Sequence, residues 1–305
     1  MQIDHKTGTK PLKAKYVFEG AALYFAYGLF KILGLKRGSA FGGWIGRTLA
    51  ARVGRTKKAR RRIKAALPGL SDAEVDTIVM EMWDNVGRTI AEYAHLDKYR
   101  RDVMENRQDL MQIPERDLYH TMIEEHRPVF FVAAHMANWE IQPIAIAPFY
   151  DDVGELVRPA NNPIANRLIF TIRQRSVAKH PIPKGRKGAR PLMKHIRKHG
   201  ILAMLIDQKA NDGIEAELLG LKAMTPVGPA VLALRNKARI IPVMNERIEG
   251  HKFRVTALEE VPVEDTGNFE ADVLTITQTL NNRVTEMVKS NPGQWLWLHN
   301  RFKDY

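Results

Sequence analysis

Three short, largely apolar runs separated by helical patterns constrain the fold of this chain more than any other feature. The runs cover residues 129–134, 201–206 and 239–244, and such runs are typical of strands buried on both faces of a parallel sheet. Apolar residues at helical spacing follow these runs, in segments 161–176, 188–199 and 228–237. Strands that alternate with helices predict an α/β fold, with a mainly parallel sheet flanked by helices.

The N-terminal part has a different pattern, so we divide the chain into residues 1–110 and an α/β domain of residues 111–305. An apolar, aromatic-rich stretch at 21–35 is shorter than the ~20 apolar residues of a spanning helix. Basic residues flank it, and seven of the ten residues at 55–64 are basic. This pattern indicates an N-terminal anchor, interfacial or marginally spanning, that contacts anionic lipids on the cytoplasmic side. A buried N-terminal helix is the alternative.

The distribution of charge favours an anionic partner. The chain carries 47 Lys+Arg against 34 Asp+Glu, a net charge of +13, and residues 156–206 contain 12 Lys or Arg but no acid. Arginines bind phosphate groups through paired hydrogen bonds. Nucleic acid is the competing partner, but aromatic side chains that could stack on bases are not interleaved with the basic runs. We therefore expect no nucleic-acid partner.

Several kinds of chemistry are excluded by residues that the sequence lacks. It has no cysteine, which excludes a cysteine nucleophile and a thiolate zinc site. It also lacks a P-loop, a Gly-x-Ser-x-Gly nucleophile motif and any recognisable spacing of histidine metal ligands. We expect neither a metal nor a cofactor.

Two ionisable residues directly follow two of the predicted strands. His135 follows the run at 129–134 and Asp207 the run at 201–206, so both should emerge at the carboxyl edge of the sheet, where such sheets place their sites. Glu140 lies five residues after His135, a separation that needs an intervening turn to bring the side chains together. We expect Glu140 to bind one imidazole nitrogen and leave the other as a general base. A histidine bonded only to backbone is an equally open alternative.

Several stretches resemble, in order, the motifs of a known enzyme family. His135-Met-Ala-Asn-Trp-Glu140 resembles the His-x4-Asp/Glu motif of glycerolipid acyltransferases, in the form typical of bacterial lipid A late acyltransferases of the lauroyl/myristoyl type. The other matching stretches are Arg158-Pro-Ala-Asn-Asn-Pro163, followed by Arg173 and Arg175, then Asp207-Gln208, Thr225-Pro-Val-Gly-Pro229 and residues 294–303. The resemblance covers nearly the whole chain.

The resemblance implies transfer of a fatty acyl chain from acyl carrier protein to a hydroxyl of a Kdo-bearing lipid A precursor, at the cytoplasmic face of the inner membrane. It implies His135 as the base, Glu140 as its partner, and Arg173 and Asp207 as further catalytic residues. The substrate-binding residues that we expect are Asn138, Arg158, Arg175 and Gln208. Because the hydroxyl can attack the thioester directly, no acyl-enzyme is needed. Another glycerolipid or lysophospholipid acyltransferase, using acyl-CoA or acyl carrier protein, is the alternative.

Overall fold

The computed structural model describes residues 13–302, except for residues 53, 122–126, 151, 179 and 199. The α-helices of this described part are α1 (Ala14–Thr48), α2 (Arg55–Ala66), α3 (Asp72–Glu92), α4 (Leu96–Met104), α5 (Arg116–Thr121), α6 (Ile141–Ile146), α7 (Pro163–Ser176), α8 (Arg186–Ile196), α9 (Gly228–Asn236) and α10 (Phe269–Ser290). Its strands are β1 (Met111–Gln112), β2 (Val129–Ala133), β3 (Val153–Val157), β4 (His180–Pro183), β5 (Ile201–Leu205), β6 (Ile214–Leu218), β7 (Leu221–Thr225), β8 (Arg239–Glu249) and β9 (Lys252–Ala257).

Seven of these strands form one sheet, in the order β1-β9-β8-β2-β5-β3-β4. The three apolar runs of the sequence are β2, β5 and β8, which lie side by side and pair in parallel. Only β8 and β9 pair antiparallel within this sheet as described, and β6 and β7 form a separate hairpin. The predicted α/β fold with a mainly parallel sheet flanked by helices is confirmed.

The sheet is covered on both faces, which explains why its central strands are apolar throughout. Phe130 and Val132 of β2 belong to a core cluster that also contains residues of α2, α3, α9 and α10. Their neighbours Val129 and Phe131 belong to a second cluster, with residues of α4, α6 and α7. Successive side chains of a strand point to opposite faces, so one apolar run contributes to both cores.

The predicted N-terminal anchor lies within α1, which is 35 residues long and is long and apolar enough to cross a membrane by length and composition. The chain leaves helical geometry at Gly34, where φ is 76°. Beyond this kink α1 packs very closely on α3, because glycines lie at the contact. A Cβ atom on Gly87 would collide with the carbonyl oxygen of Gly42, and one on Gly46 with that of Trp83. Tight packing of this kind leaves no room for an added methyl group.

Replacement of Gly87 by alanine is therefore expected to lower the melting temperature of the purified protein, since overpacking costs roughly 1–3 kcal/mol. Gly28→Ala is the matched control, because Gly28 also lies in α1 but has no atom within 4 Å of the added Cβ. There, removing a helical glycine should be neutral or stabilising by roughly 0.5–1 kcal/mol. Thermal unfolding in detergent checks both variants, and an unchanged melting temperature for Gly87→Ala would contradict the close helix contact.

Candidate active site

The carboxyl ends of β2 and β5 bring His135 and Asp207 into direct contact. Nδ1 of His135 lies 2.6 Å from Oδ1 of Asp207, and the backbone N–H of His135 donates to Oδ2 at 2.9 Å. The parallel register pairs Ala133 with Leu205. His135 and Asp207 each follow these paired residues by two positions. The contact is therefore set by the register of the two strands.

The tautomer of His135 follows from its two neighbours. The carboxylate of Asp207 can only accept, so Nδ1 carries the proton and donates it. Nε2 of the Gln208 side chain lies 3.2 Å from Nε2 of His135 and, as an amide nitrogen, donates to it. Nε2 of the imidazole therefore carries the lone pair that a general base requires.

The C-terminal segment holds this pair from the other side. Nε1 of Trp295 donates to Oδ2 of Asp207 at 2.7 Å. The backbone N–H of Leu296 donates to the carbonyl oxygen of His135 at 3.0 Å, and Trp295 forms a β-bridge with Met136. Residues far away along the chain, 88 positions for Trp295 and Asp207, thus fix both members of the pair.

These contacts keep Asp207 ionised although it is only 1% exposed. Burial alone would raise the pKa of its carboxyl group. The charge of His135 and the hydrogen bonds from the His135 ring, its backbone and Trp295 outweigh burial, and the pKa is well below its usual range. An ionised partner stabilises the imidazolium that forms when the base accepts a proton.

A second histidine, His299, lies against the ring of His135. The ring centroids of His135 and His299 are 4.9 Å apart and the planes meet at 66°. Burial, and then the charge of His135, lower the pKa of His299 to about 4. His299 is consequently neutral near pH 7, so it places no competing positive charge beside the imidazole.

The expected contact between Glu140 and the imidazole is not formed, and this part of the sequence interpretation is wrong. Glu140 is fully buried and is held by Arg173, whose Nε and Nη2 donate to its two oxygens at 2.9 and 2.5 Å. The hydroxyl of Tyr93 donates to Glu140 as well. Both ring nitrogens of His135 are already bonded to Asp207 and Gln208. A tertiary partner therefore occupies the position that sequence proximity assigned to Glu140.

Glu140 belongs to a second buried charge cluster, which also contains Glu155 of β3. Oε1 of Glu155 is 3.8 Å from Nε of Arg173. Burial, and then the charge of Glu140, raise the pKa of the Glu155 carboxyl group to about 8, although the charge of Arg173 opposes both. One arginine thus lies between two carboxyl groups, of which Glu155 is protonated near neutral pH.

The other predicted site residues are in different environments. Asn138 is fully buried, and its side chain bonds to the Glu140 backbone at 3.2 Å and to Glu92 at 3.0 Å. Arg158 is exposed after β3 and lines a cavity together with Arg173. Arg175 is exposed and lies on a different side of α7 from Arg173, since two residues turn a helix by about 200°.

Sequence reasoning missed three residues of these two clusters. Tyr93 directly follows α3, and no local motif indicates that its hydroxyl contacts Glu140. Trp295 lies in the stretch 294–303, which matches the family motifs, but no local sequence pattern relates it to Asp207. Glu155 had a usable signal, since an acid within the strand sequence Val-Gly-Glu-Leu-Val is rarely buried unless it is paired or neutralised.

A family model described as bacterial lipid A biosynthesis acyltransferase matches residues 9–304. The chain belongs to this family. No curated protein sequence matches it. The family makes the protein an acyltransferase enzyme of lipid A biosynthesis, and it agrees with the resemblance that the sequence motifs indicated.

This lipid A acyltransferase has a cavity of about 270 Å³ beside the second charge cluster. Ile169, Phe170 and several prolines give it apolar walls, while Arg158 and Arg173 contribute positive charge. A larger cavity of about 810 Å³ lies behind the His135 loop and is lined by Asn85, Gln294 and residues of mixed charge. The smaller cavity is the one that suits an amphiphile with an anionic group, since apolar walls and cations are combined there.

The acyltransferase holds no evident metal site: within the described ranges, no group of three or more histidine and acidic side chains could bind a metal ion.

The protonated state of Glu155 predicts a pH-dependent contribution to stability. Its folded-state pKa of about 8 lies above the ordinary value of 4.5, so between these values the unfolded chain releases a proton that the folded enzyme keeps. Stability should fall as pH rises through this interval and then level off. Glu155→Gln removes this decline in stability. The melting temperature of the variant, relative to that of the wild type, should therefore increase from pH 5.5 to pH 8.5.

Glu264→Gln is the control for this measurement, because Glu264 is exposed and should leave the pH dependence of the melting temperature unchanged. Identical pH profiles for wild type and Glu155→Gln would show that Glu155 is ionised in the folded enzyme.

Proposed function

We propose that this enzyme transfers a fatty acyl chain from acyl carrier protein to a hydroxyl of a Kdo-linked lipid A precursor. The observation that carries the proposal is the line Asp207–His135–Gln208, in which Nδ1 of the imidazole faces an ionised carboxylate and the unprotonated Nε2 accepts a hydrogen bond from Gln208 that the acceptor hydroxyl would replace. An acyl transfer of this kind needs a base beside the acceptor hydroxyl. The family match supplies the lipid A pathway.

In the proposed reaction, Nε2 of His135 accepts the proton of the acceptor hydroxyl as its oxygen attacks the thioester carbonyl. The carbonyl electron pair moves to oxygen and gives a tetrahedral intermediate. When the carbonyl re-forms, the carbon–sulfur bond breaks, and the imidazolium returns its proton to the sulfur of the carrier. Asp207 stabilises the imidazolium throughout. The acyl group passes directly from sulfur to oxygen, without an acyl-enzyme.

Arg173 is our proposed electrophilic residue. Its Nε and Nη2 are engaged by Glu140, but no partner of its Nη1 is found among the described residues, and Arg173 lines the smaller cavity. A guanidinium fixed by a buried carboxylate is preorganised and can stabilise an oxyanion without reorganising. Glu140, and through it Tyr93, would then act as positioning residues for Arg173.

The positive charge of the enzyme supports anionic substrates. Arg158 and Arg175 are exposed and have no ion pair among the described part of the chain. We propose that they, with Gln208 at the base, bind the lipid A precursor or the carrier's phosphate group, since arginine suits phosphate. The acidic carrier protein and anionic lipids would give the net charge of +13 a further role. We also propose that residues 1–110 attach the catalytic residues 111–305 to the cytoplasmic face of the inner membrane.

A direct assay separates this proposal from its alternative. The purified enzyme is given acyl carrier protein or coenzyme A thioesters of the same acyl chain, with a Kdo-bearing lipid A precursor or lysophosphatidate as acceptor. Mass spectrometry should detect a new acyl ester on the lipid A precursor with the carrier-bound donor. Acylation of lysophosphatidate alone would favour a general glycerolipid acyltransferase and would overturn the proposed acceptor.

Replacing His135 by alanine should lower kcat by about 10²–10⁴-fold, the usual contribution of a general base. Asp207→Asn should cause a loss of similar order, because an amide at this position can turn the imidazole into the wrong tautomer. Glu140→Gln should act differently: it leaves Arg173 buried beside a neutral group, and so should lower the melting temperature as well as kcat. Steady-state rates and thermal unfolding measure these effects.

His180→Ala provides the control, since His180 is exposed and forms an ion pair with the half-exposed Asp152. Near-normal kcat in the His135 or the Asp207 variant would exclude this pair from the chemistry. A melting temperature unchanged in Glu140→Gln would contradict the role of Glu140 in holding Arg173.

A further inference from the structure

The outward face of α1 carries a continuous apolar stripe. Phe18, Phe25 and Ile32 are 77%, 74% and 86% exposed, and they are spaced seven residues apart, which places them on one side of a helix. Ala21 and Ala22 are exposed between the two phenylalanines. Exposed apolar side chains in such a row mark a contact with a partner or a membrane rather than ordinary surface.

The opposite face of the same helix is fastened to the catalytic domain near its beginning. Nδ2 of Asn162 donates to the carbonyl oxygen of Tyr16 at 3.0 Å and to Glu19 at 3.1 Å. Gly20 is buried, and a Cβ atom there would collide with Ile164. Asn162 also caps α7, so this end of α1 is bound to the helix that carries Arg173.

The helix is fastened again just before its kink. Nε2 of His95 lies 2.9 Å from the carbonyl oxygen of Phe30. Nζ of Lys31 donates to the carbonyl oxygen of Ala94 at 2.7 Å and to Asp97 at 3.1 Å. Both ends of the segment before Gly34 are therefore attached to the rest of the protein, one at the start of α7 and the other at residues 94–97.

These two attachments are incompatible with a helix that crosses the bilayer. The segment 14–33 has about 20 residues and a length of about 30 Å, which equals the hydrocarbon thickness. To span, it would have to leave the domain along almost its whole length and lose the contacts at Asn162, His95 and Lys31.

The charge of the neighbouring helices favours an anionic lipid surface as the occupant of the stripe. Residues 14–48 contain five Lys or Arg and one acid, and residues 55–66 contain seven Lys or Arg and no acid. A second copy of this chain would bring like charges together, whereas anionic lipids attract basic residues beside an apolar helix face.

We infer that α1 lies in the plane of the membrane interface, with Phe18, Phe25 and Ile32 inserted into the lipid and the opposite face fixed to the catalytic domain. The inference rests on the membrane location within the proposed function, but its test requires no enzymatic activity. It also places the cavity near the bilayer: Phe170 lies six residues after Ile164 on α7, about 9 Å along the axis. A lipid acceptor could therefore reach the cavity from the membrane surface.

The absence of native cysteine permits a clean labelling experiment on the full-length protein in native membranes. Lys15→Cys and Lys36→Cys lie on either side of the apolar stripe, and Lys289→Cys marks the end of α10; all three positions are exposed. A membrane-impermeant maleimide should label all three variants in inside-out vesicles and none in intact spheroplasts. Labelling of the Lys15 variant in spheroplasts, with the Lys289 variant protected, would show a spanning helix and overturn the inference.

Depth measurements provide the second arm. Nitroxide labels on Phe18→Cys, Phe25→Cys and Ile32→Cys are compared in liposomes of phosphatidylethanolamine and phosphatidylglycerol, with Lys289→Cys as the solvent-exposed control. Accessibility to oxygen relative to a nickel chelate should give similar, shallow depths for the three stripe positions. A spanning helix would separate the first and last by about 21 Å in depth. That gradient in depth would refute the in-plane arrangement. Spin–spin broadening together with low oxygen accessibility would indicate contact with a second copy of the chain and would also refute it.

Activity in the same membranes separates the two proposals. Wild-type enzyme that binds these liposomes in-plane but acylates no lipid A precursor would refute the proposed function and leave the helix orientation intact. An active enzyme with a spanning α1 would refute the in-plane orientation and leave the proposed function intact.

Discussion

The buried carboxylate of Asp207 is the interaction on which the active centre depends. It accepts hydrogen bonds from the imidazole and the backbone of His135 and from the indole of Trp295. One side chain thus joins the ends of two strands to a segment near the C-terminus. A buried carboxylate is costly unless its acceptors are satisfied, so the same bonds that orient the imidazole of His135 also stabilise the charge of Asp207. This coupling explains why His135 and the segment around Trp295 form one structural unit.

The second buried charge cluster lies beside Asp207 and His135 and is arranged differently. Glu140 and Arg173 form a bidentate pair, completed by Tyr93 and by the nearby Glu155. With both carboxylates ionised the cluster would carry an excess negative charge in a desolvated environment, and protonation of Glu155 relieves it. The two residues of the His135-x4-Glu140 spacing are therefore divided between two clusters: His135 faces Asp207, whereas Glu140 binds an arginine that lines the cavity.

The N-terminal helices pack against the sheet and against the loop that carries His135. Residues of α2 and α3 share a core with the central strands, and Asn85 of α3 donates to the carbonyl oxygen of Ala137 behind the catalytic loop at 2.9 Å. Glu92 at the end of α3 binds both Asn138 and Arg247. Because α1 packs on α3 through glycines, a helix with an apolar outer face is held at a fixed position relative to the base. The apolar outer face of α1 and the loop of His135 are therefore mechanically linked.

The sequence by itself determined the layered fold and the edge of the sheet where the chemistry lies. Apolar runs at 129–134 and 201–206, followed by His135 and Asp207, are local patterns, and the pairing of parallel strands converts them into a shared edge. The motif stretches also indicated the correct family. Only the tertiary structure decided which acid faces the imidazole. Glu140 is five residues from His135, whereas Asp207 is 72 residues from it. Strand register nevertheless brings Asp207 to Nδ1, and Glu140 binds Arg173 instead. Trp295 and Tyr93 were equally beyond local reasoning, because a hydrogen bond between remote residues depends on packing that no local spacing encodes.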